Sequence, residues 1–183
     1  MEYYVGATDI DSGETVYHLC TDCGERDTEW MRASASMPLV SRPVEVDGRR
    51  LLDGGIAEPV PYRFMEEAGY SRNVIVLTQP AGYRKRKGIA SRLMPFLLRK
   101  EPVLAKAMAV RHEVYNRQME EIDERERTGV SLVIRPPEPL GIRRTEPDPR
   151  ELERVYRIGR EEGGRRLREV RDFCGRAAEP DEI

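Results

Sequence analysis

An uninterrupted apolar run in the middle of the chain constrains the fold most. Residues 73–78 read Asn-Val-Ile-Val-Leu-Thr, and turn-forming residues lie on both sides of them. A short apolar stretch without alternation is typical of a strand buried on both faces, as in a parallel sheet covered by helices. The sequence therefore predicts an α/β fold in which neighbouring segments supply further strands and the covering helices.

Two hairpins are predicted before that strand. Residues 3–7 and 15–19 are strand-like, and the turn-forming residues 9–13 separate them. Residues 44–46 and 49–52 flank Asp47-Gly48, a dipeptide favoured in tight hairpin turns. Between the hairpins, we expect a helix with Asp27 as its N-cap that ends before Pro38. A further helix is predicted over 61–68, with Gly69 as its C-terminal stop.

The second half of the chain is predicted to be mostly helical. A basic loop at 82–88 precedes a short helix over 90–99 and a longer helix that begins at Pro102, and a strand follows at 130–134. Asp148 is the predicted N-cap of the last helix, with Glu151 closing a capping box. The apolar stripe of that helix contains Gly159 and Gly163, which would allow another backbone to approach closely. Residues 177–183 are interpreted as a frayed tail.

Charge is unevenly distributed, although the formal net charge is only −2. Residues 1–60 carry 5 basic and 12 acidic side chains, whereas residues 81–117 carry 10 basic and 2 acidic ones. The overall balance excludes a globally basic nucleic-acid binder, and we expect no nucleic-acid partner. The basic segment suits either an anionic surface or the acidic N-terminal third, and we favour the second interpretation. With no signal peptide, no transmembrane run and only 3 cysteines, the sequence predicts a cytoplasmic protein.

Asp53-Gly54-Gly55 is the strongest candidate for chemistry. Two glycines after an aspartate at a strand end let the backbone turn sharply and approach another group. The carboxylate is then exposed at the edge of a sheet, where α/β proteins place their sites. The alternative is a plain Asp-Gly turn without a chemical role.

The cysteines predict neither a metal site nor a redox centre. Cys20 and Cys23 have the spacing of half a zinc site, but no second pair of ligands has finger spacing. A thioredoxin-like strand-to-helix junction is also missing, so we interpret both as incidental thiols in a loop. His112 is interpreted as a surface or hydrogen-bonding residue, and no metal or cofactor is expected.

No nucleophile can be recognised from the sequence. The chain contains no G-x-S-x-G motif, and Ser34 and Ser36 lie among small residues that suit helix packing. It also contains neither a P-loop nor G-x-G-x-x-G, so nucleotide binding has no support.

Several motifs in a fixed order resemble a known family. The block Arg-Ala-Ser-Ala-Ser-Met-Pro-Leu-Val at 32–40, then Asp47-Gly48 and Leu-Asp-Gly-Gly-Ile at 52–56, resembles the second half of a bacterial patatin-like phospholipase domain. Residues 4–9 with Gly13-Glu14 resemble the preceding hairpin, and Arg111-His112 with Tyr115-Asn116 resembles the C-terminal helical extension of the bacterial subgroup.

The resemblance implies a three-layer α/β/α sandwich, present here in part, followed by a helical extension. Its boundaries would be 1–80 for the patatin-like part and 81–183 for the basic linker and the extension. It also implies lipid acyl hydrolysis by a Ser-Asp dyad without a catalytic His or a cofactor. Asp53 would accept the proton of the serine hydroxyl, and Gly54 and Gly55 would let the loop carry that carboxylate to the serine.

This sequence departs from the family because the nucleophile elbow and the glycine-rich oxyanion loop are absent. Both lie upstream of the matched part in the family, so we expect the chain to be the C-terminal portion of a longer protein and to be inactive alone. The alternative is a non-catalytic remnant that binds lipid or protein, with homodimerisation through an exposed sheet edge.

The resemblance also implies a lipid or acyl-ester substrate and peripheral contact with a membrane. The basic residues at 84–87 and the apolar residues of 93–98 would supply that contact. The same apolar residues suit packing within the helical extension, which we favour.

Overall fold

The computed structural model of this chain describes residues 1–143 and 145–175, with the side chains of 89–92 left aside. The predicted tail at 177–183 lies outside the described residues. The chain divides into two compact units. Unit 1 contains residues 1–61 and 84–120, and unit 2 contains residues 62–83 and 121 onwards.

Unit 1 is built on a four-stranded antiparallel sheet. Its strands are β1 (Tyr3–Asp9), β2 (Thr15–Cys20), β3 (Val44–Val46) and β4 (Arg49–Asp53), in the spatial order β2-β1-β4-β3. Both predicted hairpins are confirmed, because β1 pairs with β2 and β3 pairs with β4. Strand β4 also pairs with β1, which joins the two hairpins into one sheet.

The turn between β3 and β4 has the backbone that its sequence predicts. Asp47 and Gly48 have φ values of 52° and 72°. Two consecutive left-handed residues match the twist of the flanking strands, and Asp-Gly is among the few pairs that adopt this conformation readily. The turn therefore fixes the register in which Val44 lies opposite Leu51.

One face of the sheet packs against helix α1 (Glu25–Ser34). Trp30 and Ala33 of this helix form a buried cluster with Ala7, Val44 and Leu51 of the strands. The prediction of Asp27 as N-cap is wrong, since Gly24 is the N-cap and α1 begins at Glu25. The Asp27 side chain points back instead and accepts hydrogen bonds from the loop before the helix.

A second cluster covers the other side of β4. Ile10, Leu52 and Ile56 pack with apolar residues from the segment of α3 (Ile89–Leu97) and from α4 (Pro102–Arg127). Leu51 and Leu52 belong to different clusters, because successive side chains of a strand point to opposite faces. The partners from the two helical segments are Met94, Leu98, Leu104 and Ala105.

The apolar residues of 93–98 divide between two environments. Met94 and Leu98 are buried as expected, but in a cluster that includes the first half of the chain as well as α4 of the expected extension. Leu93, Phe96 and Leu97 are exposed by 50%, 72% and 51%, and for these three it is wrong. Helix α3 therefore has one apolar face that is buried in the second cluster and another that is exposed to solvent.

Unit 2 contains a two-stranded parallel sheet. Strand β5 (Asn73–Val76) pairs in parallel with β6 (Ser131–Ile134), so both predicted strands are confirmed, and the parallel sheet expected around the first of them is present. Burial on both faces is wrong, since Val76 is 70% exposed while Ile75 is buried. Val74 and Val76 share one face of β5, and that face is only partly covered by the described residues.

Unit 2 also contains α2 (Tyr62–Glu67), the end of α4 and α5 (Pro149–Gly175). Asp148 caps α5 as predicted, because its Oδ1 accepts a hydrogen bond from the Arg150 N–H at 2.9 Å. The capping box is wrong, because the Asp148 N–H donates to Glu146 and not to Glu151.

The predicted close approach at the glycines of α5 is not found. Apart from the neighbouring backbone of α5 itself, no described atom lies within 4 Å of a Cβ placed on Gly159 or Gly163. Leu152, Tyr156 and Leu167 of the same stripe are about half exposed. The apolar face of α5 is therefore only partly covered by the described residues.

The fold class is α/β with a helical C-terminal part, as predicted. Its larger sheet is antiparallel rather than parallel. None of the helices in the described ranges is both long enough and apolar enough to cross a membrane.

Removing the Leu51 side chain tests the packing of α1 on the sheet. Leu51 is fully buried, so Leu51→Ala should lower the free energy of unfolding by about 2–5 kcal/mol. Trp30 is the only tryptophan and packs in the same cluster, so its fluorescence during urea unfolding reports on unit 1. The control Val40→Ala, at a residue 78% exposed, should change stability by less than about 0.5 kcal/mol. Equal effects of the two substitutions would contradict this packing.

Candidate functional site

Asp53 lies at the end of β4, opposite Ala7 of β1. It is also the N-cap of a single 3-10 turn, Gly54–Ile56, and its Oδ1 accepts a hydrogen bond from the Gly55 N–H at 2.7 Å. The Asp53 N–H donates to the carbonyl of Ser36 at 2.8 Å. Backbone and side chain are therefore both held where the strand becomes a loop.

Gly54 is required because the loop passes directly over β1. A Cβ placed on Gly54 would lie 2.5 Å from the carbonyl oxygen of Gly6, which is backbone and cannot rotate away. The buried Thr8 hydroxyl reinforces this crossing, since it donates to the Asp53 carbonyl at 2.9 Å and accepts from the Ala57 N–H at 3.3 Å. Sequence reasoning assigned no role to Thr8.

Gly55 separates two charged side chains. A Cβ at this position would lie 3.1 Å from Asp53 Oδ1 and 3.4 Å from Arg111 Nη2. Arg111, on α4, also donates from Nε to the Gly55 carbonyl at 2.6 Å. Gly55 therefore keeps open a gap that a larger residue would partly fill.

Three carboxylates of unit 1 accept hydrogen bonds from the fold, and they differ in whether one or both of their oxygens are engaged. Asp9 accepts from the Asp11 N–H at 3.0 Å through Oδ1 and from Arg49 at 2.8 Å through Oδ2. Burial alone would raise the pKa of Asp9, but these hydrogen bonds outweigh it and hold the pKa below its ordinary value. Both oxygens of Asp9 are thus committed to the fold.

Asp27 is the second such carboxylate. Its Oδ1 lies 2.6 Å from His18 Nε2, and its Oδ2 accepts from three successive loop N–H groups, those of residues 21–23. The His18 hydrogen bond, with those N–H groups and against the effect of burial, holds the pKa of Asp27 well below its usual range.

Asp53 is different, because the hydrogen bonds of the described residues engage only its Oδ1. It is half-buried, and none of the ion pairs among those residues includes it. An ionised carboxylate can accept up to about four hydrogen bonds. Both oxygens of Asp9 and of Asp27 are engaged, whereas Oδ2 of Asp53 accepts no hydrogen bond among the described residues, so Asp53 has the available oxygen that a proton-accepting group needs.

His18, Cys20 and Asp27 form a group whose ligand atoms lie within 4.8 Å of one another. Such a group could hold a cation. The sequence pattern did not predict that Asp27 would lie next to Cys20. The Asp27 oxygens are already occupied, and burial together with Asp27 raises the pKa of the Cys20 thiol, which opposes the thiolate that zinc prefers. His18 also stacks on Trp30, with 5.0 Å between the ring centroids. These contacts indicate that the group stabilises the loop before α1 through hydrogen bonds.

The remaining sequence candidates do not assemble a nucleophile. The Ser36 hydroxyl donates to the Arg32 carbonyl at 2.7 Å, inside the helical turn. His112 is predicted to be a surface or hydrogen-bonding residue; its side chain is only 16% exposed, and its Nε2 lies 3.6 Å from Glu113 Oε1. Its Nδ1 is buried without a hydrogen-bond partner among the described residues.

Two family models match parts of this chain. Residues 10–65 match the model described as patatin-like phospholipase. Residues 101–175 match a second model, described as a domain of unknown function (DUF6363). No curated protein matches the chain. The first match supports the resemblance to patatin-like proteins and relates residues 10–65 to a family of lipid hydrolases.

The two matched segments meet at the candidate site. Asp53, Gly54 and Gly55 lie within the patatin-like segment, and Arg111 lies within the domain of unknown function. Sequence reasoning found the first three from the turn and the strand end. Arg111 stands out in the sequence only through the resemblance of residues 111–116, because a contact between residues 56 positions apart leaves no local signal.

Adding one methyl group at Gly54 tests the crossing of the loop over β1. Gly54→Ala should lower the free energy of unfolding of unit 1 by about 2–3 kcal/mol, because the Gly6 backbone cannot yield. Trp30 fluorescence in urea measures this loss. Gly88→Ala is the matched control, since no described atom lies within 4 Å of the added methyl, and it should cost under about 1 kcal/mol. An unchanged midpoint for Gly54→Ala would contradict the observed approach.

Proposed function

We propose that this chain is the acid-bearing part of a patatin-like serine acyl hydrolase that acts on a phospholipid or another lipid ester. The observation that carries the proposal is the placement of Asp53. It lies inside the patatin-like segment, at a strand end, with a carboxylate that the fold holds through one oxygen only. No cofactor is expected for this reaction.

Asp53 would act together with a serine that this chain does not supply. As the serine Oγ attacks the ester carbonyl, its proton passes to the Asp53 carboxylate, which gives it to the alcohol oxygen as the acyl–oxygen bond breaks. Water then attacks the acyl-serine and gives a proton to Asp53, which returns it to the serine Oγ as the fatty acid is released. Gly54 and Gly55 let the loop bring the carboxylate to the serine without side chains in the way.

The proposal extends to the organisation of the whole enzyme. The segment that bears the nucleophile would precede this chain and complete a three-layer α/β/α sandwich of the bacterial patatin-like type. Residues 1–80 would then be the C-terminal part of the catalytic domain, and residues 81–183 a basic linker and a helical extension. The two family-model matches, at 10–65 and 101–175, support a boundary between residues 65 and 101.

Peripheral contact with an anionic membrane is part of the same proposal, for a cytoplasmic enzyme. Leu93, Phe96 and Leu97 form one exposed apolar face of α3. The segment 84–100 contains seven basic residues and no acidic one. Exposed apolar side chains flanked by cations are typical of an interfacial helix on anionic lipid.

A second candidate function is a non-catalytic module that binds lipid or protein. It is favoured by the lack of a recognisable nucleophile motif and by the half-exposed apolar stripe of α5. In this form the chain would dimerise through a sheet edge, such as β2 or β3. A monomer in light scattering at high protein concentration would contradict that pairing.

Hydrolysis of an aryl ester tests the catalytic proposal. The isolated chain should show no turnover above the buffer background, because it lacks the serine. In the natural gene product, Asp53→Asn should lower kcat by about 100-fold or more, since the amide cannot accept the proton. Asp11→Asn, at an exposed aspartate of the first hairpin, is the matched control and should leave kcat unchanged. Turnover by the isolated chain that Asp53→Ala abolishes would contradict the missing nucleophile.

Sedimentation with vesicles tests the membrane contact. The chain should bind vesicles of phosphatidylcholine with 30% phosphatidylglycerol (about one anionic lipid in three) and should be released by high salt, as expected for an electrostatic contribution. Replacing Phe96 and Leu97 by Ser should weaken binding about tenfold or more, because their burial in lipid is lost. Val40→Ser is the control for an exposed apolar residue outside α3. Unchanged binding of the double variant would contradict this surface.

A further inference from the structure

Helix α4 directs three polar side chains at the backbones of two loops in unit 1. Arg111 Nε donates to the Gly55 carbonyl at 2.6 Å. The Gln118 side chain accepts from the Val60 N–H at 3.1 Å and donates to the Val60 carbonyl at 3.0 Å. Asn116 binds both backbone groups of Lys85 in the same way, at 2.8 and 3.0 Å.

These contacts fix the loop that follows Asp53 at two points. Between β4 and α2 the chain has only the short 3-10 turn, so many of its backbone groups lack a partner from regular structure. Gln118 is almost fully buried, and its amide satisfies both backbone groups of Val60, as a neighbouring strand would. Arg111 holds the other point, at Gly55. The loop is therefore clamped from one helix, at sites five residues apart.

Gly55 connects Arg111 with Asp53. The Gly55 N–H donates to Asp53 Oδ1, and the Gly55 carbonyl accepts from Arg111 Nε. Movement of Gly55 would change the direction in which the carboxylate points. A guanidinium donates in a fixed planar fork, so its hydrogen bond restrains the direction of the carbonyl as well as its distance.

We propose that Arg111 is a positioning residue for Asp53, and that the start of the matched domain of unknown function serves to hold the acid-bearing loop. This inference rests on the proposed function for its catalytic consequence, but the restraint on Gly55 can be measured without catalysis. Arg111 acts through Gly55 and is not assigned contact with the reacting atoms.

Backbone amide exchange in the isolated chain tests the restraint. Arg111→Gln should speed exchange of the Gly55 amide about tenfold, because the charged hydrogen bond that orders this loop is lost. Arg111→Lys keeps the charge and one donor and should give an intermediate rate. Arg117→Gln, at an exposed position of the same helix, should leave the rate unchanged. Equal Gly55 rates in all four proteins, with Trp30 fluorescence showing an intact unit 1, would overturn the proposal.

Kinetics of the natural gene product test the consequence for the reaction. Arg111→Gln should lower kcat about 100-fold with KM within about twofold, because the acid is misplaced while lipid binding is retained. Arg111→Lys should recover part of kcat, which a general loss of folding would not allow. An equal kcat in Arg111→Gln and the parent would overturn the positioning role. If Asp53→Asn leaves kcat unchanged while Gly55 exchange responds to Arg111→Gln, the proposed function fails and the restraint stands.

Discussion

The close approach of Gly54 to the carbonyl of Gly6 is the constraint on which the site depends. It occurs where β4 leaves the sheet, so the last paired residue, Asp53, is fixed by the ladder on one side and by the turn on the other. Any side chain at 54 would push the loop away from β1. The Thr8 hydroxyl closes the same crossing, since it donates to the Asp53 carbonyl and accepts from the Ala57 N–H. Position and direction of the Asp53 carboxylate follow from this packing.

Of three hydrogen-bonded carboxylates in unit 1, Asp9 and Asp27 have structural roles and Asp53 is the candidate for chemistry. Asp9 and Asp27 are buried and have both oxygens engaged, so protonating either would break contacts on which a turn or a helix start depends. Asp53 is fixed through one oxygen and through its backbone. A rigid support and an available oxygen are what a proton acceptor requires, and α4 adds to the support through Arg111.

Local chemistry explains which parts could be predicted from the sequence. The Asp47-Gly48 turn, the two hairpins, the cap at Asp148 and the Asp53-Gly54-Gly55 corner each depend on residues close in the chain. The errors arose where distant contacts decide. Asp27 looks like an N-cap, but His18 and the loop amides draw its side chain backwards. The run at 73–78 looks fully buried, but the described residues leave the face of β5 that carries Val76 exposed. Arg111 and Thr8 gave no local signal because their partners lie more than 40 positions away.

The central claim is that Asp53 serves a serine on a segment outside this chain. The most direct measurement is labelling of the natural gene product, purified from its own cells, with a fluorophosphonate, followed by intact mass and peptide mapping. The account predicts a mass above 21.1 kDa and a single labelled serine outside this sequence, with labelling lost in Asp53→Asn. A product of 21.1 kDa that takes no label, or labelling that persists without the Asp53 carboxylate, would contradict it.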